Sequence, residues 1–154
     1  MNTPKPYTIG PWRVSIVREG SADVTTPEAI TTCAGAADFL RNCFDFSDER
    51  EKMIVLFLDT RNKPKGYSVV SVGSLTASIV HPREVFRPAI LAGAAAVILC
   101  HNHPSGDPAP SPEDVEITRR LVAGGTLLGI RVLDHVIVTA DPTVTSSLTM
   151  LRLL

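Results

Sequence analysis

No run in this 154-residue sequence approaches the ~18 consecutive apolar residues that a membrane-spanning helix requires. Met1 is followed by Pro4, Lys5 and Pro6 rather than by the apolar stretch of a secretory leader. A soluble, cytoplasmic protein is expected, with no membrane partner. Charge of one sign is lacking as well: 15 Lys and Arg stand against 16 Asp and Glu, for a net charge of -1. Such a balance offers no basic stripe to hold a polyanion, so binding to nucleic acid is not favoured. Cysteine is scarce, and Cys33, Cys43 and Cys100 are odd in number and far apart. That argues against a disulfide framework and for buried thiols in a reducing compartment. The chain also has no internal repeat, low-complexity tract or interdomain linker. What remains, 44% hydrophobic and 20% charged residues, fits one globular domain with a core of its own.

Residues 1 to 11, with Pro4, Pro6, Gly10 and Pro11, read as an irregular lead-in, and 12 to 18 as a candidate edge strand. Thr26-Pro27-Glu28 is a plausible helix start, followed at helical spacing by Ile30, Cys33, Ala37, Leu40 and Phe44. Met53 to Leu58 is an unbroken apolar run of strand length, closed by a turn over 59 to 66. Tyr67 to Val72 and Ser74 to Val80 suggest a further strand, or a pair broken near Gly73. His81, Pro82 and Glu84 open a second helix, which Pro88 should kink or shorten. An interior strand over 95 to 100, a helix from 112 to about 123 and a last long strand from Ile130 to Thr139 follow. Residues 140 to 154 offer only a turn at Asp141-Pro142 and a short apolar tail. Strands alternating with helices predict an α/β (α+β) fold, a mixed β-sheet flanked by helices. Residues 1 to 45 would form a lead-in strand and helix packed on a core of 46 to 154, the whole one compact domain.

The chemistry concentrates in residues 101 to 114, His-Asn-His-Pro-Ser-Gly-Asp-Pro-Ala-Pro-Ser-Pro-Glu-Asp. Side chains alternate across a strand, so His101 and His103 leave its carboxyl end pointing the same way. A proline-stiffened loop returns the chain to a helix beginning near Ser111, which lets Asp114 close on the same point. Two imidazoles and a carboxylate leave a fourth position open, as in catalytic zinc sites. The string His-Asn-His is not the HNH nuclease signature, whose residues are scattered through a longer motif. Ser111 and Asp114 also fit a capping box with Pro112 at the first helical position. A serine can serve both roles, whereas Asp114 is hard to reconcile with being fully cap and ligand at once. Cys100 precedes His101 and so points to the opposite face. His135, within Val132 to Val138, reads as an inward histidine paired with a neighbour, with support of a metal ligand as the less favoured alternative, and His81 reads as a helix-boundary residue.

Hydrolysis at such a site needs a carboxylate to move a proton. Glu49, Glu51, Glu84, Glu113 and Glu116 are available. Glu113 and Glu116 should face solvent, and capping explains Glu84. Glu51, just ahead of the strand at Met53, is preferred to Glu84 by a narrow margin.

The stretch 101 to 108 together with Pro110-Ser111-Pro112-Glu113-Asp114 resembles the RadC-like family of JAMM (JAB1/MPN) metalloproteins. Val72 to Ser78, His81 to Phe86 and Leu133-Asp134-His135 look like the same family, so the resemblance covers about residues 47 to 139. It implies a JAB1/MPN-like, cytidine-deaminase-like sandwich. It also implies one Zn2+ per chain on His101, His103 and Asp114, with Ser111 near the oxyanion and Glu51 as the proton carrier. The activity implied is that of a metallopeptidase or isopeptidase, acting on a peptide or protein substrate that could be ubiquitin-like. The alternative is a catalytically silent JAMM-fold module in DNA repair, recombination or mobile-element biology. Residues 1 to 45 do not resemble the helix-hairpin-helix-like opening of full-length RadC proteins, and 146 to 154 match the family's usual ending poorly.

Overall fold

The computed structural model describes residues 27–43, 49–73 and 80–153. The candidate strand over 12 to 18, and residues 74 to 79 of the second strand segment, lie outside the described residues. Among the described residues eight elements follow in chain order: α1 (Cys33–Cys43), β1 (Glu51–Leu58), β2 (Pro64–Gly73), α2 (Pro82–Leu91), β3 (Ala96–Asn102), α3 (Pro112–Leu128), β4 (Arg131–Val138) and β5 (Thr145–Ser147). The five strands form one mixed sheet in the order β2-β1-β3-β4-β5.

The unbroken apolar runs of β1 and β3 arise because both faces of the sheet are covered. Ile54, Leu56, Leu58, Ala96, Ile98 and Cys100 pack with Ala36, Ala37 and Leu40 of α1 on one side. Met53, Val55, Phe57, Val97 and Leu99 pack with Phe86 of α2 and with Ile117 and Leu121 of α3 on the other. Full burial of a side chain such as Leu56 stabilises by about 1.5–3 kcal/mol, so this double-sided centre carries much of the fold.

Only β3 and β4 run parallel, as the crossover through α3 requires; the other neighbours are antiparallel. The α3 crossover also makes a tight approach. Its Gly125 has no room for a side chain, since an added Cβ would lie 2.3 Å from the Ile130 carbonyl and 3.2 Å from Phe86.

Several boundaries differ from expectation. Helix α1 starts after Thr32, not at Pro27, because the Ile30 N–H is taken by the Asn62 carbonyl (2.9 Å) and Thr32 Oγ1 accepts from Gly35 N–H (3.0 Å) as the cap. Pro88 does not shorten α2, which runs on to Leu91 with the Ala92 N–H bonded back to the Pro88 carbonyl. The bond the ring forgoes belongs to the carbonyl of Glu84, in the half-exposed first turn. Helix α3 continues to Leu128, and the tail contributes a strand, β5, that pairs with β4 through Val136 to Val138. Asp134 holds that strand in place, its carboxylate accepting from Ser147 Oγ (2.6 Å) and Thr149 N–H (3.2 Å).

Candidate metal centre

Every candidate donor of the centre comes from the carboxyl end of β3 or the start of α3. His101, fully buried, lies on the α2/α3 side of the sheet, opposite Met53 on β1 and Ile137 on β4. Cys100, one residue earlier, lies in the α1-side cluster, as strand alternation requires. His103 is fixed just past the strand by its N–H to the Val138 carbonyl (2.9 Å). The chain then turns sharply, Gly106 N–H bonding to the His103 carbonyl (3.1 Å) at a φ of 83° that favours glycine. That turn brings the Asp107 carbonyl to 2.7 Å from His103 Nδ1. A carbonyl only accepts, so Nδ1 carries a proton, and in the neutral ring Nε2 is left as the lone pair available to a metal.

Asp114 opens α3 and is 4% exposed. The capping box is present: Asp114 N–H donates to Ser111 Oγ (3.1 Å), while Ser111 N–H and Oγ–H donate to Asp114 Oδ2 (2.8 and 2.7 Å). The expected conflict between cap and ligand is resolved by dividing the two oxygens. Oδ2 takes the cap bonds and borders His103, while Oδ1, free of the cap, faces His101 Nε2 at 3.2 Å.

The three side chains meet around one point. His101 Nε2 and His103 Nε2 are 2.8 Å apart, and His103 Nε2 is 3.4 Å from Asp114 Oδ2. Donor atoms at ~2.0–2.1 Å from a tetrahedral zinc stand about 3.3 Å from one another, so the two imidazole–carboxylate separations match a shared ion, and the imidazole pair would open by about 0.5 Å to admit one. Nitrogen and oxygen donors of this kind suit zinc, and the residues present fit that metal.

The local electrostatics agree. Burial alone would push the Asp114 carboxyl up, but hydrogen bonds from the His101 and His103 rings and the positive charge of His101, which exist when those rings are protonated and no ion is bound, together with a hydrogen bond from Ser111, overcome it and hold the group well below the ordinary carboxylate range. The contact with Asp114 raises His103, with a smaller push from the negative charge of Glu51. Burial, reinforced by His101, drives His135 well below its usual value and keeps it neutral.

Glu51 begins β1. Continuing the β1–β3 register by two residues sets it opposite His103, on the face that carries Met53 and His101. It lines a cleft of about 480 Å3 with Glu49, Arg50, Gly73, Pro104 and Ser105, the last two directly following His103. Glu84 is elsewhere, on α2, its carboxylate paired with Arg83 (3.2 Å) and Arg87. His81 caps α2, its Nδ1 accepting from Arg83 N–H (3.2 Å).

Sequence reasoning overlooked Asn102. Its side chain accepts from Lys52 N–H (2.7 Å) and donates to the Arg50 carbonyl (3.1 Å), gripping the backbone on both sides of Glu51. Thr118 was also missed, although its position four residues after Asp114 on one helix was the available signal.

A family model described as the RadC-like JAB domain matches residues 30–151. This chain belongs to the RadC-like JAB domain family. The five-strand mixed sheet with three helices is consistent with the JAB/MPN-like architecture. A UPF0758 protein of Methanosarcina acetivorans is 60% identical over 90 residues, covering 58% of this chain and 39% of its own length. A UPF0758 protein of Geobacter sulfurreducens is 59% identical over 96 residues, 62% of this chain and 42% of the relative. One from Trichlorobacter lovleyi is 54% identical over 114 residues, 73% and 49% of the two chains. The RadC-like chain thus spans at most about half the length of these relatives. Among the described residues, no helix is long and apolar enough to cross a membrane.

Proposed function

We propose that this chain is a zinc-dependent hydrolase that cleaves an amide bond of peptide or isopeptide type. The observation that carries the reading is the convergence of His101, His103 and Asp114 on one point; Glu51, which lines the open cleft beside Pro104 and Ser105, supports it. A zinc ion bound there would supply Lewis acidity and bring a water towards a pKa of about 7. His101, His103 and Asp114 would hold it and leave one side open to substrate.

The remaining work falls to the chain's own residues. Glu51 takes the proton of the attacking water and returns it to the leaving nitrogen. Asn102, by fixing the backbone at Arg50 and Lys52, keeps the Glu51 carboxylate aimed at the cleft. Ser111 Oγ turns its proton to the developing oxyanion. It can do so at little cost, because Ser111 N–H stays on Asp114 Oδ2 when the hydroxyl leaves.

The cleft beside β2 suits an extended peptide or protein tail, ubiquitin-like proteins among them, rather than nucleic acid, which a net charge of -1 does not attract. Three free thiols suit a reducing, cytoplasmic setting.

The test is metal analysis of protein purified without a metal-affinity tag, combined with hydrolysis assays of wild type, Glu51→Gln and His103→Ala on isopeptide and peptide substrates. We expect one zinc per chain in wild type and in Glu51→Gln, turnover only in wild type, and neither in His103→Ala. Full activity in Glu51→Gln would remove Glu51 from its role. Zinc-loaded wild type inert on every substrate would turn the reading to a silent interaction module.

A further inference from the structure

Behind the three candidate ligands lies a chain of buried hydrogen bonds that none of the chemistry above uses. His101 Nδ1 is 2.7 Å from His135 Nε2. His135 Nδ1 is 2.6 Å from Thr118 Oγ1, and Thr118 Oγ1 also bonds to the backbone carbonyl of Asp114. All four residues are buried. The chain therefore leaves one candidate ligand, His101, and closes on the backbone of another, Asp114.

Its direction is fixed from one end. The Asp114 carbonyl can only accept, and a threonine hydroxyl has a single proton. Were that proton turned to His135, two lone-pair-bearing oxygens would face each other in close contact. So Thr118 donates to Asp114, and its oxygen must accept from His135 Nδ1–H. His135 then has a bare Nε2, which accepts from His101 Nδ1–H. The last consequence is that the proton of the neutral His101 ring sits on Nδ1, and its Nε2 aims a lone pair at the point where His103 Nε2 and the Asp114 carboxylate converge.

We propose that His135 and Thr118 are positioning residues that set the tautomer and ring orientation of His101, so that Nε2 rather than Nδ1 is the nitrogen presented to the metal. The inference rests on the zinc reading above and adds to it the residues that impose the donor state. A ligating histidine commonly donates its second N–H to a carboxylate, a carbonyl or water. Here a second, neutral imidazole takes that place, and one helical hydroxyl decides which way it faces. The Thr118 methyl is not part of the argument. Serine should substitute for Thr118 and valine should not. At 135, glutamine can place an accepting oxygen where Nε2 lies, while leucine cannot.

Zinc affinity of the full chain, measured by competition with a chromophoric chelator, tests the proposal together with the visible spectrum of the Co2+-loaded protein. Thr118→Ser should bind within about threefold of wild type, and Thr118→Val about 10- to 100-fold more weakly. His135→Gln should retain more affinity than His135→Leu, and the Co2+ spectrum should change in the valine and leucine variants only. Side-chain 15N spectra of zinc-loaded wild type should place the His135 proton on Nδ1. Thr118→Val binding as tightly as wild type, or a His135 proton on Nε2, would overturn the assignment while leaving the zinc reading intact. Wild type that binds no zinc would overturn both.

Discussion

Replacing Asn102 by alanine separates the two halves of the proposed machinery. The side chain is 1% exposed and makes two bonds, to Lys52 N–H at 2.7 Å and to the Arg50 carbonyl at 3.1 Å. Each is worth ~0.5–1.5 kcal/mol net, and more if the partner is left buried and unpaired. Arg50 is exposed and Lys52 half-buried, so water can reach the freed groups and the lower half of the range applies. A loss of about 1–2 kcal/mol results, or a Tm lower by roughly 2–8 °C for a domain of this size. Zinc affinity should stay within about threefold, because His101 and His103 are held by pairing to Ile137 and Val138 rather than by Asn102. Hydrolysis, once a substrate is in hand, should fall at least about tenfold as Glu51 loses its fixed backbone. Thermal unfolding and zinc titration on the same preparations give the answer. An unchanged Tm would refute the clamp, and zinc lost in step with stability would refute the separation between clamp and ligands.

Gly125→Ala should destabilise by about 1–3 kcal/mol in urea unfolding despite alanine's better helix propensity, because the new Cβ meets the Ile130 carbonyl at 2.3 Å; equal or greater stability would contradict that close approach. Removing zinc with EDTA leaves two imidazoles and a carboxylate facing one another, so Tm should fall by about 10 °C relative to protein at a thousandfold excess over Kd. Superimposable melting curves after verified metal removal would count against the site. Burial raises the thiols of Cys33 and Cys43, and raises Cys100 far more. The folded state therefore favours the neutral thiol. Its contribution is fully present below the unfolded thiol value of about 8.5 and is lost as pH rises beyond it. At pH 8 a thiol reagent should modify the unfolded chain far faster than the folded one, and equal rates would contradict the burial.

What was legible depended on how local each feature is. The runs at Met53 to Leu58 and 95 to 100 could be read as interior strands because coverage on both faces removes polar alternation. The cap at Ser111 could be read because it involves residues three apart. The start of α1 could not, since it is decided by Ile30 bonding to Asn62, thirty-two positions away, and no periodicity encodes that pairing. Strand β5 was illegible for the same reason: Thr145-Ser146-Ser147 has little strand character of its own and is drawn in by Asp134. Within the candidate site, the donors span a short continuous stretch and show in their spacing. The contacts of Asn102 with β1 and of His135 with His101 cross strands and show only in three dimensions.

A division of origin follows from that geometry. The three donors lie within fourteen consecutive residues, whereas the imidazole behind His101 arrives on β4, after the whole length of α3. A peptide copied from 101 to 114 would carry the right atoms without the backing that aims them. Tight metal capture would then begin only when β4 docks, making occupancy a reporter of whether the crossover has closed correctly.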